Sequence, residues 1–248
     1  LKEVNDAIMG GYWRNYGSRG IFSGGNTGSV VNTIDYVTIA TTGDATDFGD
    51  LTSVRQASAG CSSFTRMLSL GGNEPSQVNK IEYVTMASVG NAADFGDISS
   101  ARSYLSGASN STRGMCFGGA EPGRVNVIDY FAMASTGNTT DFGDLSAAKQ
   151  EPSSFASPTR AVAGGGYTSP AYINVLEYVE IATTGNASDF GDLTQNSGAH
   201  SSGNNASSTR GLFAGGYQSP SDAYITSIEK ITIPSIGNSI DYGYLTSA

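Results

Sequence analysis

One nine-residue phrase recurs along the whole chain and dominates the sequence. It reads Gly-Asn-Thr-Thr-Asp-Phe-Gly-Asp-Leu at 137–145, and in its last copy Tyr242 and Tyr244 replace the Phe and the second Asp. The other copies occupy 43–51, 90–98, 185–193 and 237–245. In a repeat protein each unit buries its apolar surface mainly against its neighbours, so the repeat limits the possible folds more than any single residue does.

Two further markers give the length and content of each unit. An arginine precedes an apolar stretch that ends in Gly-Gly, and successive arginines are 47, 47, 47 and 50 residues apart. These arginines are Arg19, Arg66, Arg113, Arg160 and Arg210. After the glycines, residues 30–38 alternate in the manner of a β-strand. The pattern predicts four short strands per unit and no helix, with the first strand of the first unit at 9–16.

The composition supports an all-β chain and excludes some classes of partner. Glycine accounts for 33 of 248 residues and charged residues for 14 per cent, which favours turns and strands over helices. With 22 acidic and 13 basic side chains the net charge is −9, so we expect no nucleic-acid partner. No apolar run is long enough to predict membrane insertion. Cys61 and Cys116 are expected to be buried apolar residues rather than a disulfide.

The repeat resembles the kelch-type β-propeller. Kelch units carry an apolar second strand that ends in Gly-Gly and a third strand that contains a Tyr. An aromatic residue lies near the start of their fourth strand, and a basic residue opens the next blade. In this chain the corresponding residues are, for example, 117–119, Tyr130, Phe142 and Arg102. Kelch units usually have Trp in the fourth strand, whereas the single Trp here is Trp13. The resemblance implies one five-bladed, kelch-like β-propeller with four antiparallel strands per blade. Its blades span about 9–51, 56–98, 102–145, 149–193 and 198–245, after a lead-in at 1–8.

The order of the strands also leads to an expectation about ring closure. Each blade begins with its first strand and ends with its fourth, so no strand is borrowed from the other end of the chain. We therefore expect closure to depend on contacts between the first and last blades.

The residue pattern of the unit is similar to that of repeats in structural proteins of marine bacteriophages. This resemblance implies a virion protein of the surface or tail-fibre type, located on the virion surface or outside the cell. The implied partners are a host-surface glycan or another virion or assembly protein, and copies of the chain are expected to be able to form a homo-oligomer. A purely structural capsid or filament subunit is the alternative.

Signs of catalysis or metal binding are sparse. The carboxylates of the phrase, such as Asp47 and Asp50, suggest calcium ligands, but an offset of three residues places them on opposite faces of a strand. We expect them to pair with the marker arginines instead. His200 is the only histidine and is expected to lie in a solvated loop. We therefore predict a non-enzymatic protein with no catalytic residue, metal or cofactor, and keep a propeller hydrolase and a calcium-binding lectin as second alternatives.

The repeats differ most in the loops between the second and third strands and between consecutive units. These two sets of loops share one face of a propeller, and binding residues concentrate on such loops. Repeats 4 and 5 are longer there and contain tyrosines beside polar side chains, a mixture that suits sugars or a protein surface. The predicted ligand-binding residues are Tyr167, Tyr172, Tyr217, Gln218, Asp222, Tyr224, Asn196, His200, Glu74, Glu121 and Arg124.

Overall fold

The structure, a computed structural model, describes residues 19–200, 205–218 and 223–247 as strands and turns without a helix. Repeat 1 contains β1 (Arg19–Asn26), β2 (Val30–Thr38) and β3 (Thr46–Asp50). Repeat 2 contains β4 (Ala59–Ser62), β5 (Arg66–Leu70), β6 (Asn73–Glu74), β7 (Ser76–Gln77), β8 (Lys80–Thr85) and β9 (Ala93–Asp97). Repeat 3 contains β10 (Ser106–Ser109), β11 (Arg113–Phe117), β12 (Ala120–Glu121), β13 (Gly123–Arg124), β14 (Val127–Ala132) and β15 (Thr140–Asp144).

The last two repeats follow the same plan. Repeat 4 contains β16 (Ser153–Ala156), β17 (Arg160–Gly164), β18 (Val175–Glu180) and β19 (Ser188–Asp192). Repeat 5 contains β20 (Ser197–Gly198), β21 (Arg210–Ala214), β22 (Tyr217–Gln218), β23 (Ala223–Tyr224), β24 (Ser227–Thr232) and β25 (Ile240–Tyr244). The predicted lead-in and the predicted first strand at 9–16, with Trp13, lie outside the described residues.

Each repeat forms an antiparallel sheet whose main strands follow chain order. Repeats 2, 3 and 4 have four-stranded sheets, ordered β4-β5-β8-β9, β10-β11-β14-β15 and β16-β17-β18-β19. Repeats 1 and 5 have three described strands each, β1-β2-β3 and β21-β24-β25. The predicted all-β class is confirmed, and so is the four-stranded antiparallel sheet for the three central repeats. Because no helix is present in the described ranges, none of their segments is a candidate membrane-crossing helix.

The sheets stack face to face, so a central strand is buried on both sides. In β8, Ile81 contacts the core shared with repeat 3, whereas Val84 contacts the core shared with repeat 1. Four apolar clusters result, and each is built from two consecutive repeats. The Phe of the phrase lies in each cluster at 2 % exposure, as Phe48, Phe95, Phe142 and Phe190.

Cys61 and Cys116 both lie in the cluster between repeats 2 and 3. They are free thiols, as expected, and are almost fully buried. Burial raises the pKa of Cys116 to about 11, and it raises the pKa of Cys61 further. Both are therefore buried, protonated thiols, and the Cys116 sulfur also accepts a hydrogen bond from Arg102 at 3.4 Å.

The second glycine of the phrase allows consecutive repeats to approach closely. A Cβ built at Gly96 would lie 2.4 Å from the carbonyl oxygen of Gly137 in the next repeat. The turn containing Gly137 donates its N–H to the Phe95 carbonyl at 2.7 Å, and Asn138 accepts a bond from the N–H of Asp97. The phrase is thus a junction motif: its first half in one repeat binds its second half in the preceding repeat.

The marker arginines also act across the junctions. Each of the first four donates to a backbone carbonyl just after the third main strand of the next repeat: Arg19 to Met86, Arg66 to Met133, Arg113 to Ile181 and Arg160 to Ile233. Their guanidinium groups also stack on Tyr36, Tyr83, Tyr130 and Tyr178 at 4.2 to 4.9 Å. The expected pairing with Asp47, Asp50 and their equivalents is therefore wrong, because the guanidinium groups bind carbonyls of the next repeat and stack on tyrosines instead. Of the five marker arginines, only Arg160 has a carboxylate partner among the described residues, and that partner is Glu180.

The junction seen four times is not repeated between repeat 5 and repeat 1 within the described residues. A Cβ at Gly243 would meet nothing within 4 Å, and Tyr242 is 56 % exposed where the other repeats bury a Phe. The expected contact between first and last repeats is therefore not made by the ranges 19–200, 205–218 and 223–247.

Candidate functional site

The segments between the second and third main strands fold into short hairpins rather than the loops that the sequence predicted. β6 pairs with β7, β12 with β13 and β22 with β23, and a Tyr167–Tyr172 bridge replaces the hairpin in repeat 4. The segments that enter each repeat bind to these hairpins through the bridges Gln56–Asn73, Ser103–Ala120 and Gln150–Tyr167, and through β20 with β22. We call this continuous area, formed by residues 56, 73–77, 103, 120–124, 150, 167–172, 197–198, 217–218 and 223–224, the hairpin surface.

Four predicted tyrosines form a single row on the hairpin surface. The ring centroids of Tyr167 and Tyr172 are 5.1 Å apart, those of Tyr172 and Tyr217 are 5.7 Å apart, and those of Tyr217 and Tyr224 are 5.2 Å apart. Arg124 extends the row, because its guanidinium lies 4.4 Å from the Tyr167 ring centroid. The first three rings are half-buried against one another, whereas Tyr224 is 73 % exposed at the end of the row.

Glu151 and Gly198 hold the centre of the row, and sequence reasoning missed both. The Tyr172 hydroxyl donates to Glu151 at 2.7 Å, and burial together with this carboxylate raises the pKa of the Tyr172 phenol. A Cβ built at Gly198 would lie 2.8 Å from the Tyr172 ring, so the ring rests directly on a glycine backbone. The corresponding positions in repeats 2 to 4 are Gln56, Ser103 and Gln150, a difference that could have identified Gly198 from the sequence alone.

The remaining predicted polar residues do not all reach the row. Asn196 is exposed in the turn before β20, and Gln218 pairs through its backbone with Ser197. Glu121 is half-buried in β12. Asp222 lies outside the described residues.

Glu74 is occupied by partners within its own part of the fold. It accepts hydrogen bonds from Ser53 and from Lys80, and it lies 3.2 Å from Arg55. Partial burial opposes ionisation, but these hydrogen bonds and the two cations lower the pKa of Glu74. The Glu74 carboxylate is therefore bound at the boundary between repeats 1 and 2, whereas the tyrosines lie in repeats 4 and 5.

His200 is not a solvated loop residue, and this prediction was wrong. Its ring is 4 % exposed, lies 3.2 Å from the Ser153 hydroxyl and 2.9 Å from the Ser197 hydroxyl, and stacks edge-on against Phe213. Burial lowers the pKa of His200 to about 4, against a smaller opposing effect of the Glu229 carboxylate, so the ring is neutral. Both serines are also buried, so this arrangement presents no nucleophile to a substrate.

His200 lies at the one internal junction where a series of buried ion pairs is interrupted. Three junctions contain a cation four residues after the phrase, paired with an acid of the following repeat: Arg55 with Glu82, Arg102 with Asp129 and Lys149 with Glu177, at 2.5 to 2.8 Å. At the fourth junction Ser197 replaces the cation. The acid Glu229 keeps the hydrogen bonds from Thr194 that its counterparts receive from Thr52, Ser99 and Ser146, and it gains one from Ser239.

The geometry offers no metal centre in the described part of the chain. No group of three or more His, Cys, Asp and Glu side chains among these residues converges in the manner of a metal site. Asp47 accepts a hydrogen bond from the N–H of Gly49 in its own strand, which is a structural use of the carboxylate. The arrangement that remains for recognition is the row of rings with its polar neighbours.

Comparison with known proteins adds no family to this description. No protein-family model matches the sequence, and none of the curated proteins is significantly similar to it.

Proposed function

We propose that the protein is a non-catalytic binding module that recognises a saccharide through the tyrosine row on the hairpin surface. The observation that carries the proposal is the continuity of the row across three repeats, from Arg124 in repeat 3 to the exposed Tyr224 in repeat 5. Rings with free edges and hydroxyl groups suit the alternating apolar and polar faces of sugars. A protein surface is the alternative ligand, since tyrosine and arginine are also enriched at protein interfaces.

A propeller-type stacking of the sheets, left open between repeat 5 and repeat 1 in the described residues, is part of the proposal. The antiparallel strand order, the Gly-Gly ends of the second main strands and the face-to-face stacking support this arrangement, because blades of a kelch-like propeller would share them. The likeness of the repeat to phage structural proteins supports a place on a virion surface or tail fibre, where a glycan of the host is the ligand. Kelch propellers serve unrelated tasks, so the ligand is argued from the site and not from the fold.

A glycan array with purified protein tests the proposal. The parent protein should bind a restricted set of glycans, and Tyr224→Ala should weaken that binding at least tenfold because it removes the exposed ring. Ile236→Ala is the matched control, since Ile236 is 64 % exposed in a turn between the third and fourth main strands. This control should bind like the parent.

Two results would count against glycan recognition. A folded parent protein that binds no glycan would favour the protein-surface alternative. Equal losses in Tyr224→Ala and Ile236→Ala would show that binding does not depend on the tyrosine row.

A further inference from the structure

The two ends of the array present the two halves of the junction that holds the repeats together. At each of the four internal junctions, the first glycine N–H of one phrase donates to the Phe carbonyl of the preceding phrase at 2.7 Å. The four donor–acceptor pairs are Gly90–Phe48, Gly137–Phe95, Gly185–Phe142 and Gly237–Phe190. We call the glycine turn the donor half and the strand with the Phe carbonyl the acceptor half of a junction. Among the described residues, the donor half of repeat 1, at Gly43, and the acceptor half of repeat 5, at Tyr242, make no such bond.

The acceptor half in repeat 5 is an exposed apolar surface, which we call the repeat-5 face. It comprises Leu212, Ile228, Tyr242, Tyr244 and Leu245. Tyr242, Tyr244 and Leu245 are 56 %, 70 % and 40 % exposed. The residues equivalent to Leu245 in the first four repeats are 2 or 3 % exposed, and those equivalent to Ile228 are fully buried.

The donor half in repeat 1 is exposed in the same way, and we call it the repeat-1 face. It comprises Phe22, Val37 and Ile39. Phe22 is 61 % exposed, whereas its counterpart Phe213 in repeat 5 is 2 % exposed. Ile39 is 66 % exposed, whereas its counterparts in repeats 3, 4 and 5 are 1 or 2 % exposed.

The polar groups of the two faces match as well. By equivalence with the internal junctions, the N–H groups of Gly43 and Ala45 would bind the carbonyls of Tyr242 and Tyr244, and Asp44 would accept from the Tyr244 N–H. Arg210 is the only marker arginine whose guanidinium neither donates to a carbonyl nor stacks on a ring within the described part of the chain. By the same equivalence it would reach the carbonyl that follows β2, as the other four reach the corresponding carbonyl of the next repeat.

We propose that the repeat-5 face of one molecule binds the repeat-1 face of a second copy of this chain. The occupant follows from the molecule itself, because the surface that covers every other face of this kind is the donor half of the next repeat. The four internal junctions are filled and have the same bond lengths, and within the ranges 19–200, 205–218 and 223–247 neither end half has such a partner in its own molecule, so both are left to neighbouring molecules. Because the two halves differ, the contact is head-to-tail, and it adds copies in line or closes a ring of several copies.

Sedimentation velocity and light scattering over a range of concentrations test this association. The parent protein should form dimers and larger multiples of its 25.5 kDa mass as the concentration rises. Ile39→Asp, which blocks the repeat-1 face, and Tyr242→Asp, which blocks the repeat-5 face, should each be monomeric alone. Val89→Asp is the control, because Val89 is 57 % exposed in an internal turn and belongs to neither the repeat-5 face nor the repeat-1 face, and it should associate like the parent.

A mixture of the two blocked variants distinguishes head-to-tail contact from other arrangements. Ile39→Asp retains an intact repeat-5 face and Tyr242→Asp an intact repeat-1 face, so the mixture should form a one-to-one dimer and nothing larger. Dimers of either variant alone would overturn the proposal, because a face would then bind its own kind. A parent protein that stays monomeric, with a melting temperature lowered by both substitutions, would also overturn it by showing that the ring closes within one chain.

Discussion

The second glycine of the phrase offers the sharpest test of the junction between repeats. Replacing Gly96 with alanine puts a side chain on a backbone with φ 145°, a strain of about 1–2 kcal/mol. The new Cβ would also lie 2.4 Å from the Gly137 carbonyl oxygen, and such overpacking costs about 1–3 kcal/mol. Separation of the two strands would further weaken the 2.7 Å bond from Gly137 to Phe95, worth about 1 kcal/mol. The expected loss of stability is about 3–5 kcal/mol.

Two matched controls separate backbone strain from the clash. Gly137→Ala changes the other side of the same junction at φ 153°, where an added Cβ meets nothing within 4 Å. Gly243→Ala changes the equivalent of Gly96 in repeat 5 at φ 147°, again without a neighbour. Both should lose only the strain, about 1–2 kcal/mol.

Equilibrium unfolding in urea, followed by far-ultraviolet circular dichroism at low protein concentration, gives the three free energies. Low concentration keeps the repeat-5 face free of a second copy. The reasoning fails if Gly137→Ala destabilises the protein as much as Gly96→Ala, because the close approach of the repeats would then contribute nothing.

Three other predictions concern buried and junction charges. Because burial lowers the pKa of His200 to about 4, below the value of about 6.5 expected in the unfolded chain, stability should fall by up to about 3 kcal/mol as the pH drops through that window. His200→Gln should flatten the pH profile of unfolding, and an unchanged profile would refute the assignment. Arg102→Met should cost about 3–5 kcal/mol by leaving Asp129 buried and unpaired, while Arg102→Met with Asp129→Leu should recover most of that loss in urea unfolding; no recovery would contradict it. Arg66→Ala should lower the free energy of unfolding by about 1–2 kcal/mol, because Arg66 binds a carbonyl and a ring at a junction. Arg210→Ala should lower it by less than about 0.5 kcal/mol, because Arg210 is exposed. Equal losses would argue against a stabilising role of the marker arginines at the junctions.

The sequence was sufficient to predict the main strands of the central repeats, although not the short hairpin strands between them, because the same pattern recurs in all five repeats. The Gly-Gly pairs and the Gly-Asn turns punctuate the main strands, and the central repeats have the expected four-stranded sheets. The pairs that cross the junctions were not predictable in the same way. Arg55 and Glu82, for example, are 27 residues apart, and only the face-to-face stacking of two sheets brings them to 2.6 Å.

The candidate site was predicted in part, for a related reason. Loop variation identified Tyr167, Tyr172, Tyr217 and Tyr224, which the structure joins in one row. Composition of the surrounding segment misplaced His200, because Ser, Gly and Asn are as compatible with a tightly folded buried turn as with a solvated loop. The missing cation at Ser197 was the useful signal, since it leaves space in the core that a neighbouring side chain must fill.

The tyrosine row and the altered fourth junction both involve β20, and Gly198 in this strand allows the connection to be tested. β20, Ser197–Gly198, pairs with β22 directly beneath the row, and its glycine leaves the space in which the Tyr172 ring lies. Gly198 has an ordinary φ that alanine can adopt, but the added Cβ would lie 2.8 Å from the Tyr172 ring and 2.9 Å from the Gly166 Cα. Gly198→Ala should therefore shift both and displace the ring from Glu151. A spectrophotometric titration should then show one more phenol with a pKa near the usual value of about 10.

The same substitution connects the row to binding. If recognition depends on the continuity of the rings, Gly198→Ala should weaken glycan binding as Tyr224→Ala does, although it leaves Tyr224 in place. Gly60→Ala is the control, because its added Cβ would meet only the Leu68 carbonyl oxygen at 3.8 Å. Unchanged titration in Gly198→Ala would mean that Tyr172 is not held by the glycine backbone. A changed titration with unchanged binding would mean that Tyr224 acts alone, since the half-buried rings would then serve only to pack one repeat against the next.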